Sequence, residues 1–240
     1  MSAFSSGSVT LCESLGEADR LRIRQLASFV RAQQTASLLT TLAPRLDSPQ
    51  QAAVTRTCSF IHAGLLIFPA ELTAAVAELP ALGVTPGPLL PSVVVRDRLA
   101  SRCAPAAGPE VWITHAVVAG ARGRDLELFL ASGTGPALAK IADDERAGNQ
   151  ESHFALHGTG SRAQMSQVWE ILTGPGRLIP DGGGYNPHES PASGGRTVLY
   201  FQAPDPAALT WPPRIELALD GHHAQLLAIH QQTAGQRTPV

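Results

Sequence analysis

Two histidines in this chain head the same pattern of residues at the same intervals. His62 lies 21 residues before Gly83, and His153 lies 21 residues before Gly174. From His62 to Glu127 is 65 residues, and from His153 to Glu216 is 63. Each interval holds, in one order, an apolar run carrying the histidine, a helix-like run that stops at glycine, and further strand-like runs. Two independent spacings agree, so the halves read as two copies of one unit. Two copies make a domain of paired modules, not a solenoid.

The first copy opens with TCSFIHAGLLI at 57–67, a strand by composition. Residues 68–82 hold an Ala-rich helix with Pro69 near its start and Gly83 just past its end, and Pro80 shortens its regular part. Residues 93–95 (VVV), 111–118 (VWITHAVV) and 125–130 (DLELFL) supply three more strands. The second copy runs through HFALHG at 153–158, a helix over 161–172, a strand opening at 177–179, and strands at 197–202 and 214–219. Its segment DGGGYNPHESPASGG, 181–195, reads as a loop, either a lid or a plain connection.

The organisation predicted is therefore an N-terminal helical extension over 1–55, a first βαβββ module over 56–132, a linker over 133–150, a second module over 151–221 and a polar C-terminal tail over 222–240. The fold class is α+β. In the extension, Leu21, Ile23, Leu26, Phe29 and Val30 form an apolar helical stripe that needs covering, and residues 35–42 suit a second helix before Pro44. The arginines between them (Arg20, Arg22, Arg24, Arg31) read as a solvated helix face, with a phosphate-binding face as the alternative. The linker carries a short helix near 136–146.

Strand alternation assigns directions to the side chains. Leu126 and Leu128, matched by Ile215 and Leu217, pack under the helices, so Glu127 and Glu216 face the other way. The same parity puts His62 and His153 on the concave side, with the small residues Gly64 and Ala155 two positions on. Two imidazoles and two carboxylates suit Zn, Ni, Co, Mn or Fe(II), and the set contains no thiolate that would select a softer ion. His157 shares the strand face of His153 and fits a contact to substrate or to a metal ligand. His115, with Gln202 as its nearest polar counterpart in the second copy, fits a place in the pocket wall or on the surface. His188, His222 and His223 read as loop residues. The GTG turns at 133–135 and 158–160 lack the spacing and the lysine of a phosphate loop.

Composition narrows the partners. A net charge of −2 gives no field to attract nucleic acid. No apolar run reaches bilayer length, and the N-terminal residues lack the basic-then-apolar order of a secretory signal. Cys12, Cys58 and Cys103 are odd in number and widely spaced, which suits reduced thiols in a cytoplasmic protein. The expected partner is a small molecule, with no nucleic acid and no membrane; a homodimer is an option for covering the helical extension.

These residues resemble the vicinal oxygen chelate superfamily, which includes glyoxalase I, methylmalonyl-CoA epimerase, fosfomycin-resistance proteins and extradiol dioxygenases. HFALHG and RIELAL carry the resemblance best; HAGLLI and DLELFL gain from the repeat. The resemblance implies two curved open sheets around one divalent ion held by His62, Glu127, His153 and Glu216. It implies isomerase or lyase chemistry through a metal-stabilised enolate, with Glu127 or Glu216 as the catalytic carboxylate and His115, His157 and Gln202 near the substrate. If Glu127 is uncommitted, the remaining two-His-one-carboxylate triad suits an Fe(II) dioxygenase. A ligand-binding or resistance protein without catalysis is the third possibility.

Overall fold

The computed structural model describes residues 14–102, 109–204 and 214–235. Cys12 and Cys103 lie outside these residues.

The first module contains β1 (Cys58–Ile67), α4 (Leu72–Glu78), β2 (Val84–Pro86), β3 (Leu90–Pro91), α5 (Val93–Arg102), β4 (Glu110–Val118) and β5 (Asp125–Ser132). The second contains β6 (His153–Gly158), α7 (Arg162–Thr173), β7 (Ile179–Asn186), β8 (Arg196–Gln202) and β9 (Arg214–Asp220). Before them come α1 (Glu17–Ala32), α2 (Thr35–Leu42) and α3 (Ser48–Thr55). The helix α6 (Pro136–Gly148) fills the linker, and α8 (Ala224–Gly235) follows the second module. Among the described residues, nine strands form one mixed sheet in the order β2-β4-β5-β1-β6-β9-β8-β7, with β3 beside β4. The two halves of that order mirror one another about the β1–β6 junction, so the fold is α+β with paired βαβββ modules.

Local chemistry explains the helix boundaries. Ser161 and Gln164 form a reciprocal capping box at the start of α7, and Asp47 and Gln50 do the same for α3. Glu71 caps α4 through the backbone N–H groups of Thr73 and Ala74. After α4 a 3₁₀ turn (Leu79–Leu82) carries Pro80 and ends at Gly83, whose φ of 83° favours glycine.

The outer face of the sheet carries the main core. Leu126, Leu128, Ile215 and Leu217 are fully buried there with Ile23, Leu26, Ala27 and Val30 of α1, as the alternation requires. Phe29 stacks on Phe154 of β6 at 4.5 Å between ring centroids. The helical extension thus covers its stripe within the chain, although Leu21 stays half exposed.

Four expectations need correction. Residues 93–95 are not a strand: they open α5, because Val95 and Leu99, four apart, are buried against Leu66, Ile113 and Phe129. Helical packing there overrides the β preference of three consecutive valines. Residues 222–240 are not simply a tail, since Leu226, Leu227 and His230 of α8 are buried. The arginines of α1 are not all solvated. Arg22 is buried and donates to Asp19, Glu145, Asn149 and the Leu66 carbonyl at 2.9–3.2 Å. Finally, β7 takes in the first six residues of the 181–195 loop.

Candidate metal centre

The register places the histidines and glutamates as a pseudo-symmetric set. On β1 and β5, which run parallel, Gly64 lies opposite Glu127. On β6 and β9, also parallel, Ala155 lies opposite Glu216. Each glutamate therefore sits across from the residue two positions after its module's histidine. Antiparallel pairing of β1 with β6 then sets His62 opposite Ala155 and Gly64 opposite His153. All four side chains point to the concave face, and all four are buried.

Their ligand atoms lie within 4.8 Å of one another. His153 Nε2 is 3.1 Å from Glu216 Oε2 and 3.4 Å from Glu127 Oε2. His62 Nε2 is 3.4 Å from Glu127 Oε2 and 4.0 Å from Glu216 Oε1. None of these contacts has hydrogen-bond geometry: both Nε2 atoms, Glu127 Oε2 and both Glu216 oxygens are buried without a hydrogen-bond partner. Orphaned buried polar atoms on this scale are costly. Atoms each about 2.0–2.2 Å from one ion sit roughly 3–4 Å from each other, which is the spacing seen. The residues fit a divalent cation.

The surroundings aim the ligands. His153 donates its Nδ1–H to the Glu151 carbonyl oxygen at 2.9 Å, which leaves the Nε2 lone pair facing the cluster. Glu151 is fixed in turn by Arg98, Arg102 and Arg214. Tyr200, opposite Glu216 on β8, packs edge-on to His153 at 5.2 Å and rests on the Arg214 guanidinium at 4.5 Å.

The electrostatics agree with a site built for positive charge. Burial opposes ionisation of Glu127, but His62, His153 and His115 outweigh it and hold the carboxyl well below its usual range. Burial likewise opposes ionisation of Glu216, and His153 pulls its pKa down. Burial alone would strip the proton from His153, yet Glu216 and Glu127 push its pKa up to about 10. Metal binding therefore competes with a proton here. Burial, then Glu216 and Glu127, keep the Tyr200 phenol neutral.

A cavity of about 300 Å³ reaches the cluster, lined in part by His62, Leu90, His115, Asp125, Glu189 and Arg196. His115 stands in its wall. His157 instead pairs with Asp220 at 3.2 Å, and Gln202 ends β8 opposite Ile179 and Arg214; neither lines this cavity. His222 stacks on Tyr185, and His223 meets the Asp220 carbonyl. At one end of the concave face, Val95 and Leu99 of α5 cover Phe129. Asp125, Glu189 and Arg196 are cavity residues that the sequence did not single out. Asp125 was within reach, being two positions before Glu127 on one strand and so on the same face. Glu189 sits in an aperiodic loop that gave no such signal.

No family model matches the chain, and a search of curated proteins finds no match. Among solved structures, it is similar to methylmalonyl-CoA epimerase from Mycobacterium tuberculosis, with 15% identity and a TM-score of 0.39 over 70% of this chain and 91% of that one. It is also similar to a hypothetical protein from Bacillus halodurans, with 12% identity and a TM-score of 0.36 over 70% of this chain and 97% of that one.

Proposed function

We propose that this protein is a metal-dependent enzyme of the vicinal oxygen chelate type, acting on a small substrate that presents two adjacent oxygens. The chemistry proposed is isomerase or lyase chemistry at the carbon beside a carbonyl. One observation carries the reading: matched positions of two repeats bring two imidazoles and two carboxylates together, buried and largely without hydrogen-bond partners. His62, Glu127, His153 and Glu216 would hold one divalent ion, with Zn, Ni, Co, Mn and Fe(II) all suited to the donors. Such an ion supplies Lewis acidity that makes a proton beside a carbonyl easier to remove.

The chain's own groups account for the remainder. The cavity beside His62 admits a small molecule to the edge of the cluster. Glu127 is the group placed to accept a proton. It is held ionised, and its Oε1 lies 3.7 Å from His115 Nε2 at the cavity wall. His115 in turn is steadied by Asp125, 3.1 Å from its Nδ1. Burial keeps bulk water from the carboxylates. Glu127 Oε2 stands equally close to both histidines, and this favours a four-residue set over the triad of a dioxygenase.

The test is hydrogen exchange. Protein loaded with Zn(II), Co(II) or Mn(II) is incubated in D₂O with a panel of small 2-oxo and 2-hydroxy carbonyl compounds and thioesters. Deuterium should appear beside the carbonyl in at least one compound. It should vanish on chelation and fall by about 10²–10⁴-fold in Glu127→Gln. No exchange with any compound, together with O₂ consumption by the Fe(II)-loaded protein and a catechol, would replace the proposal with dioxygenase chemistry.

A further inference from the structure

The two carboxylate oxygens of Glu127 face different neighbours. Oε2 meets His62 and His153, each at 3.4 Å. Oε1 meets His115 Nε2 at 3.7 Å, and His115 Nε2 is 3.8 Å from Glu189 Oε1. His115, Glu127 and Glu189 thus form a second group whose ligand atoms lie within 4.8 Å of one another. We propose that this group is a second divalent-cation site, sharing Glu127 as a bridging carboxylate with the first, so that the centre holds two ions. The proposal rests on the single-ion reading above; with both ions bound Glu127 ligates through both oxygens, so its role as proton acceptor belongs to the single-ion form.

Three features favour it. The separations are too long for hydrogen bonds and match atoms that share an ion, by the same arithmetic as in the first cluster. His115 is oriented as metal-binding imidazoles are: its Nδ1 bonds the Asp125 carboxylate at 3.1 Å, which turns Nε2 toward Glu127 and Glu189. And the cavity, which includes His115, Asp125 and Glu189 in its wall, gives an ion a way in.

Arg196 is the feature to be reconciled. Its Nη1 donates to Glu189 Oε1 at 2.6 Å, and its Nη2 to Ser190 Oγ at 2.8 Å. An arginine that steadies a ligating carboxylate is an ordinary outer partner of a metal site.

The experiment is metal stoichiometry. The intact chain is loaded anaerobically with Mn(II), freed of excess by gel filtration, and measured by elemental analysis and electron paramagnetic resonance. Two Mn(II) per chain with a spin-coupled spectrum is the expected result. Glu189→Gln and His115→Ala, each checked for folding by circular dichroism, should each retain one ion and show an uncoupled spectrum. One Mn(II) per wild-type chain would overturn the second site and leave the first standing. No Mn(II), repeated with Zn(II), would overturn both. Two ions in wild type and in both variants would place the second ion elsewhere and also overturn the proposal.

Discussion

Gly64 and His153 face each other across the junction of the two modules, and the imidazole of one occupies the space where the other would carry a side chain. A Cβ at Gly64 would lie closer than 3.0 Å to Cε1, Nε2 and Nδ1 of His153. The opposite pair, His62 and Ala155, tolerates a methyl group. At these matched positions the two modules therefore differ.

Gly64→Ala should displace the His153 ring, weaken metal binding by about 10–100-fold and cost about 1–3 kcal/mol by overpacking. Competition with a chromophoric chelator and urea unfolding measure the two effects. Gly83→Ala is the control. Its backbone is left-handed at φ 83°, and a Cβ there meets nothing, so it should lose about 1 kcal/mol with metal affinity unchanged. Wild-type affinity in Gly64→Ala would contradict the packing described.

Arg22 ties the N-terminal helices to the rest of the chain. It reaches the end of β1 through the Leu66 carbonyl, and α6 through Glu145. Arg22→Met leaves Glu145 buried beside Glu151 without its cation, and should cost about 3–5 kcal/mol. A loss below about 1 kcal/mol in urea would show that the extension is held by its apolar stripe alone.

Much of this was legible in the sequence, and the limits have physical causes. The spacing of His62, Glu127, His153 and Glu216, read with strand alternation, identified the four residues that meet. Alternation works there because each strand has one face on the core and one on the trough. It failed at residues 93–95, where three β-branched residues sit in a helix whose burial is decided by contacts at i and i+4. It failed at α8, where two leucines and a histidine provide the whole buried face while the apolar Ile229 is exposed. Glu189 and Arg196 come together across a loop and the strand after it. Their pairing depends on the turn at Ser190, with its positive φ, and nothing in a period of two or 3.6 encodes that.

His230 gives α8 a dependence on pH. Trp169 Nε1–H donates to His230 Nδ1 at 3.0 Å, and His230 Nε2–H donates to the Gly182 carbonyl at 2.9 Å. Both nitrogens are satisfied only when the ring is neutral, and burial lowers its pKa below 6.5. A depressed basic pKa means that the unfolded chain takes up the proton first as pH falls. The stabilisation is full above pH 6.5 and declines as pH drops from there through the folded pKa. Trp169 fluorescence should change over this acid range at a lower denaturant concentration than at pH 7.5. In His230→Phe the acid-side decline should shrink. An unaltered pH profile in that variant would assign the decline to other groups.

The most direct test of the central claim is metal retention in variants of the four residues. Wild type, Glu216→Ala and Glu127→Ala are loaded with one metal, dialysed against a mild chelator, confirmed as folded by circular dichroism, and analysed for metal content. Glu216 offers two orphaned buried oxygens to the cluster and Glu127 one, so wild type should keep its metal while Glu216→Ala loses it. Glu127→Ala should also lose metal; retention there would reduce the set to His62, His153 and Glu216. A folded Glu216→Ala that retains as much metal as wild type would contradict the assignment, because no version of this centre does without that carboxylate.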